Sequence, residues 1–264
     1  MTCTDTHPTL DEVEHIAREA GQLLMTRFGQ KHDIHFKGEV DLVTEADYLS
    51  EKYILDYLLK HYPSHQVITE ESGSNQAESD HAWIIDPLDG TVNFAHGIPI
   101  FCVSIAYVYQ GVVQLGVIFD PARSECFSGE LGKGAWLNGS PIQVSGSREL
   151  IKSLLVTGFP YEKDEKLQRN LTYYGHFSTY SRGVRRLGSA AIDICYVACG
   201  RFDGYWEVVV NPWDVAAGSL IAAEAGAQVS SVEGEPLILE MGGTILVANP
   251  GLHPVLLGVL HQNE

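Results

Sequence analysis

The sequence predicts an α+β protein, and three observations carry that reading. An amphipathic helical pattern runs from Thr9 to Phe28. Two apolar runs, Phe101–Tyr109 and Val112–Phe119, meet at Gln110-Gly111 and read as an antiparallel hairpin. In the second half, helical stretches rich in small residues alternate with short apolar strands.

Taken in order, Leu10, Val13, Ile16, Ala20, Leu23 and Phe28 give the first helix one apolar face; Thr9 with Glu12 makes a capping box and Gly29 suits the stop. Lys31 to Gly38 is polar and reads as an exposed strand or loop, with His32 and His35 solvated rather than ligating. Asp41 to Asp47 opens a second helix that ends before Pro63, and Thr44 with Asp47 fits another capping box. Gln66–Thr69 is a short strand running into Glu70-Glu71-Ser72. Trp83–Ile85 is a strand that stops at an Asp-rich turn, and Ser124–Ser128 adds a strand beside the hairpin. Gly132-Lys133-Gly134 lacks the Walker spacing and its Ser/Thr, so Gly132 to Gly139 reads as β-turns.

Ile151–Thr157 is a strand and Glu162 to Tyr180 a helix whose aromatic second half suits packing. Arg182, Arg185 and Arg186 form the one basic cluster, read as pairing with acids ahead of contacting an anion. Ser189 is a natural N-cap for a helix reaching Gly200, and such a start is also a ready anion site. Phe202 to Val210 is a strand carrying Glu207. Pro212-Trp213-Asp214 opens a helix to Ala225, with Asp214 as its N-cap. Gln228–Val232 and Ile245–Val247 are strands, and Pro254–His261 is a closing helix.

At 264 residues the chain can bury a sizeable core. Lys+Arg total 17 against 34 Asp+Glu, a formal charge of −17. Such a surface repels nucleic acid and anionic membranes, so neither is an expected partner. It also repels a phosphorylated substrate unless bound cations reverse the local sign. Five cysteines without a C-x-x-C pair read as reduced thiols of a cytoplasmic protein. The N-terminus lacks the basic and apolar regions of a signal peptide, and no apolar run approaches membrane-spanning length.

The chemistry concentrates in Trp83-Ile84-Ile85-Asp86-Pro87-Leu88-Asp89-Gly90-Thr91. Two carboxylates and the Leu88 carbonyl issue from one rigid segment, and hard cations such as Mg²⁺ take oxygen ligands of these kinds. An Asp-rich turn with Asp86 and Asp89 capping backbone N–H groups explains the same residues. Further carboxylates stand at Asp47, Glu70 and Asp214, each at a helix start or strand end, and each also has a local structural explanation.

These segments, with Gly188-Ser189-Ala190-Ala191, the Glu207 strand and Pro212-Trp213-Asp214-Val215-Ala216-Ala217-Gly218, closely resemble the signature motifs of the inositol monophosphatase family, in the right order over nearly the whole chain. Leu88 replaces a frequent Ile, and Thr69 a frequent Gly. The resemblance implies a layered αβαβα sandwich in a single domain, with an α+β part over about 1–145 and an α/β part over about 146–264. It implies a Mg²⁺-dependent phosphomonoesterase, usually a homodimer. Glu70, Asp86 and the Leu88 carbonyl would hold one Mg²⁺; Asp86, Asp89 and Asp214 a second; Glu70 and water a weaker third. Asp47 and Thr91, with Glu70, would be the catalytic groups that position and activate water. Gly90 and Thr91 would hold the phosphate, while Ala190 and Glu207 would meet the alcohol half of a small phosphorylated polyol. Gly158-Phe159-Pro160-Tyr161 and Arg182–Arg186 resemble the bacterial-type members, which points to inositol 1-phosphate ahead of fructose 1,6-bisphosphate or histidinol phosphate. Some members act through protein partners, a regulatory alternative of another class.

Overall fold

The architecture follows from a computed structural model that describes residues 7–30, 34–36, 42–75 and 77–261. The chain runs α1 (Leu10–Arg27), β1 (Ile34–Phe36), β2 (Leu42–Thr44), α2 (Glu45–His61), β3 (Gln66–Thr69), β4 (Gly73–Ser74), β5 (His81–Asp89) and α3 (Thr91–Ala95). It continues β6 (Cys102–Tyr109), β7 (Val112–Asp120), β8 (Glu125–Glu130), β9 (Gly134–Leu137), β10 (Ser140–Pro141), β11 (Leu154–Thr157), α4 (Glu165–Tyr180) and β12 (Gly183–Arg185). Then follow α5 (Ala190–Ala198), β13 (Gly204–Val210), α6 (Pro212–Glu224), β14 (Gln228–Ser230), β15 (Gly243–Ala248) and α7 (His253–His261).

Five layers result, the α+β sandwich αβαβα. An eight-stranded sheet has the order β10-β9-β8-β7-β6-β5-β3-β4, and a five-stranded sheet the order β12-β11-β13-β15-β14. Helices α1 and α2 cover the outer face of the larger sheet, α5 and α6 lie between the sheets, and α4 and α7 cover the smaller sheet. Three apolar cores fill the spaces. One gathers Val13, Ile16, Leu24, Trp83 and Phe94; one gathers Ile84, Phe127, Ile192, Val215 and Val247; one gathers Tyr173, Phe177, Trp206 and Leu256.

Local chemistry explains the elements. Thr9 caps α1 by accepting from the Glu12 N–H at 3.3 Å, and the buried stripe Val13-Ile16-Ala17-Ala20-Leu24 has helical period. The β6–β7 hairpin turns on Gln110 (φ 49°) and Gly111 (φ 78°), the left-handed pair a tight two-residue turn requires.

Several boundaries differ from the sequence reading, among them that Leu150–Lys152 is a 3-10 turn and the strand read as Ile151–Thr157 starts at Leu154. Helix α2 starts at Glu45, because Leu42–Thr44 pairs antiparallel with Ile34–Phe36; Asp41, His32 and the side chain of His35 lie outside the described residues. The turn stretch at 132–139 contains a strand, Gly134–Leu137, paired to β8. Strand β5 does not stop at Ile85 but continues to Asp89 along β6. Asp214 is not the N-cap of α6: Asn211 is, and Asp214 stands in the first turn.

The layer that carries Asp214 is packed without slack. A Cβ built on Gly116 of β7 would lie 2.7 Å from the Ala217 carbonyl oxygen, and one on Gly129 of β8 would lie 3.1 Å from Ile221 Cα. Both glycines let the backbone of α6 rest directly on the sheet. Gly116→Ala must push backbone against backbone, so we expect a loss of about 1–3 kcal/mol, read as a fall of several degrees in Tm. A Tm within a degree of the wild type would show that the helix can step back at no cost.

Candidate active site

Strand β5 aims two carboxylates the same way by means of a bulge. Asp86 pairs with Ser104 and Asp89 with Cys102, so three steps on β5 match two on β6. Residues three apart on a regular strand face opposite sides, and one extra residue restores a common side. The Leu88 N–H donates to Asp86 Oδ1 at 3.0 Å, and Ser50 Oγ donates to the Pro87 carbonyl at 2.8 Å, which fixes the bulge. Gly90 follows with φ 95°, and a Cβ there would meet the Ile100 carbonyl oxygen at 2.8 Å. Only glycine fits.

Asp47 serves two partners at once. Its Oδ2 accepts from the Thr44 N–H at 2.8 Å and Thr44 Oγ1 at 2.7 Å, the capping box the sequence predicts. Its other oxygen, Oδ1, lies 3.1 Å from Thr91 Oγ1. The Thr91 hydroxyl also reaches the Leu88 carbonyl at 2.9 Å. The helix cap thereby holds a carboxylate against the hydroxyl beside the bulge.

Glu70 sits at the end of β3, its N–H donating to the Ile85 carbonyl at 3.3 Å. The turn that carries it is shaped by Glu51, which sequence reasoning passed over. Glu51 is buried and accepts from Thr69 Oγ1 at 2.6 Å, from the Ser72 N–H at 3.0 Å and from Ser72 Oγ at 2.6 Å. Thr69 is thus put to use. The signal was present in the acid one helical turn after Asp47, but only the fold shows what it faces.

From the other half of the chain come α5 and α6. Asp89 Oδ2 accepts from Ser189 Oγ at 2.6 Å and from the Ala191 N–H at 2.8 Å, joining β5 to the N-terminus of α5. Asn93 Nδ2 donates to the Leu187 carbonyl at 2.9 Å and reinforces that join. Asp214 Oδ2 accepts from the Asn211 N–H at 2.7 Å at the start of α6. Glu207 on β13 is buried, and its Oε2 accepts from Tyr205 Oη at 2.6 Å. Gly158 packs its backbone onto the Glu207 carboxylate, where any Cβ would collide.

One cavity of about 800 Å³ brings these groups together: Glu70, Asp86, Leu88, Asp89, Gly90, Thr91, Ala190, Glu207 and Asp214 all line it. Asp47 does not line it and touches it through Thr91. Arg186 is on its wall. Among the described residues none of Arg182, Arg185 and Arg186 forms an ion pair, so the pairing read from the sequence is not what these arginines do.

The electrostatics are one-sided. Burial first, then Glu70, pushes the Asp86 carboxyl well above its ordinary range, and burial and Glu70 do the same to Asp214. Burial raises Asp89 despite the hydrogen bond from Ser189. No Lys or Arg pairs with any of the three among the described residues. Carboxylates desolvated together without a paired cation favour taking up protons or binding cations. The donors are oxygens only, which suits a hard divalent cation such as Mg²⁺ and not a thiolate- or imidazole-seeking metal. No three His, Cys, Asp or Glu side chains among the described residues yet close on a common point. Asp89 and Asp214 each accept a hydrogen bond from a backbone N–H, so a cation would have to draw them in.

A model of the inositol monophosphatase family matches residues 5–264. An inositol-1-monophosphatase of Synechocystis sp. is 46% identical over 239 residues, 90% of this chain and 83% of that protein. The Nus factor SuhB of Pasteurella multocida is 40% identical over 245 residues, 92% of each chain. A solved inositol monophosphatase structure from Anabaena (Nostoc) sp. superposes with a TM-score of 0.87 at 42% identity, covering 97% of this chain and 96% of that one.

Glu207 gives a stability signature. Burial raises its pKa from 4.5 to about 7. For a raised pKa the stabilising contribution is complete below the unfolded value and is lost as pH rises through the folded one. The stability of the wild type relative to Glu207→Gln should therefore fall by ~3 kcal/mol as pH rises from 4.5 to above 7. Denaturant melts of both proteins across that range, without metal, measure it. A pH-independent difference would show that Glu207 is charged throughout.

Proposed function

Because the chain belongs to the inositol monophosphatase family, we propose that it is a Mg²⁺-dependent phosphomonoesterase acting on small phosphorylated polyols, with inositol 1-phosphate foremost. The observation that carries this reading is the convergence on one cavity of four carboxylates from three segments, three of them with raised pKa values and none of those three ion-paired with a Lys or Arg among the described residues. Glu70, Asp86, Asp89, Asp214 and the Leu88 carbonyl would hold two Mg²⁺, with Glu70 and water holding a weaker third. Bound there, the metals supply charge neutralisation for the phosphate dianion and a water of lowered pKa.

The chain's own residues do the rest. Asp47 orients the Thr91 hydroxyl, whose oxygen is then free to accept a proton bond from the attacking water. Thr91 can instead donate to the Leu88 carbonyl, and engagement of that carbonyl elsewhere commits the hydroxyl to Asp47. Gly90 lets the backbone approach the phosphate closely, and the Gly90 and Thr91 N–H groups hold its oxygens. Ala190 lines the floor under the alcohol half, and Glu207, fixed by Tyr205 and Gly158, accepts from one of its hydroxyls. The active unit is proposed as a homodimer.

Relatives named Nus factor SuhB support a second reading, in which the same fold binds protein partners, alone or alongside catalysis.

Phosphate release at fixed Mg²⁺ from inositol 1-phosphate, fructose 1,6-bisphosphate, histidinol phosphate and 2′-AMP, each with and without EDTA, tests the proposal. We expect EDTA-sensitive turnover led by inositol 1-phosphate, and at least about 100-fold less from folded Asp86→Asn, in line with removal of a transition-state charge contact. Full turnover by Asp86→Asn would rule out the metal assignment. A lead by another ester would keep the metals and change the substrate. Folded protein inactive on every ester would favour the partner-binding reading.

A further inference from the structure

Asp193, in the first turn of α5, has no place in the chemistry described so far. It is 1% exposed, and its Oδ1 is buried without a hydrogen-bond donor. Among the described residues no hydrogen bond to its other oxygen is found, and the residue lines the cavity with Ala190 and Glu207. Burial, then Glu207 and Asp89, push its carboxyl well above the ordinary range, and Arg186 opposes them without reaching ion-pair distance.

Helix capping does not account for it. The Ala191 N–H is taken by Asp89 Oδ2, and the Ile192 N–H lies 3.3 Å from Ser189 Oγ. What remains for Asp193 is the helix dipole, worth roughly 0.3–1 kcal/mol. Leaving a buried polar group unsatisfied costs about 1–3 kcal/mol, and more for a charged one. A net loss at a cavity wall points to a partner that arrives with the ligand.

We propose that Asp193 is a substrate-contacting residue that, with Glu207, forms a two-carboxylate recess accepting hydrogen bonds from two neighbouring hydroxyls of the substrate's polyol half. This rests on the phosphatase reading above and deepens it. The chemistry follows from the donors. Each carboxylate accepts from an O–H, and two of them on one wall reward a diol over an alcohol with a single or no free hydroxyl. Tyr205 and Gly158 hold Glu207 from behind, so it cannot swing away to leave one position vacant. Esters of simple alcohols reach the metal-binding end of the cavity but leave Asp193 unsatisfied, which is how a buried polar wall rejects them.

The experiment compares wild type, Asp193→Asn and Asp193→Leu on inositol 1-phosphate, histidinol phosphate and p-nitrophenyl phosphate, and follows the Mg²⁺-induced rise in Tm for each protein. For Asp193→Leu we expect kcat/KM on inositol 1-phosphate to drop about tenfold or more, mainly through KM. p-Nitrophenyl phosphate should stay within about twofold and the Mg²⁺ response should be unchanged, because neither uses the recess. Asp193→Asn, which keeps one acceptor, should fall between. Equal losses on both esters, or a lost Mg²⁺ response, would make Asp193 a structural or metal-holding residue and overturn the proposal. A loss confined to histidinol phosphate would make the recess an ammonium site, which also overturns it. If wild type hydrolyses no ester, the phosphatase reading itself fails. The recess is then judged by free myo-inositol: a Tm rise in wild type that Asp193→Leu lacks supports it, and the same response in both defeats it.

Discussion

The structure turns on the burial of like charges. Asp86, Asp89 and Asp214 share one cavity with Glu70; burial raises all three, Glu70 and Asp89 add to the rise at Asp86 and Asp214, and among the described residues no Lys or Arg forms an ion pair with them. A chain of net charge −17 has every reason to keep carboxylates in water. Holding them here is tolerable because each is anchored on one oxygen by a backbone or side-chain donor: Leu88 for Asp86, Ser189 and Ala191 for Asp89, Asn211 for Asp214. The anchors take up one oxygen of each carboxylate, and a bound cation would have to draw the groups together.

Most of the scaffold serves to hold those anchors still. The bulge in β5 depends on its pairing to β6, and β6 is central in the eight-stranded sheet. Helix α6 rests on that sheet through Gly116 and Gly129, with Gly218 against Ile194 of α5. Helix α5 is tied to β5 by Asp89 and Asn93. Two helices and a strand from distant parts of the chain are thereby locked around one point. Glu51 shows the same economy at the third side, where a buried acid shapes the turn that presents Glu70.

Several residues carry two duties, which is why their local explanation is correct and incomplete. Asp47 caps α2 with one oxygen and meets Thr91 with the other. Asp89 caps α5 and faces the cavity. Ser189 caps its own helix and donates to Asp89. A cap is a rigid mount, and rigidity is what a positioned carboxylate needs.

The sequence by itself determined the elements and the chemical inventory. Helical and alternating periodicities are local, so α1, the β6–β7 hairpin, α5 and α6 lie close to where their patterns place them. The motif around Asp86, with the later Gly188 and Trp213 segments, was enough to point to the family and to the layered αβαβα sandwich. What the tertiary structure alone decided was convergence and direction. It placed Asp86 and Asp89 on one side through a bulge that spacing does not reveal. It made Asn211 the cap in place of Asp214, set Arg186 on a cavity wall instead of in an ion pair, and brought Glu51 and Asp193 to positions their local surroundings do not suggest. The reason is physical: periodicity and capping depend on neighbours within one turn or strand pair, whereas a site depends on which oxygens meet across a hundred residues of chain, as Asp89 meets Ser189.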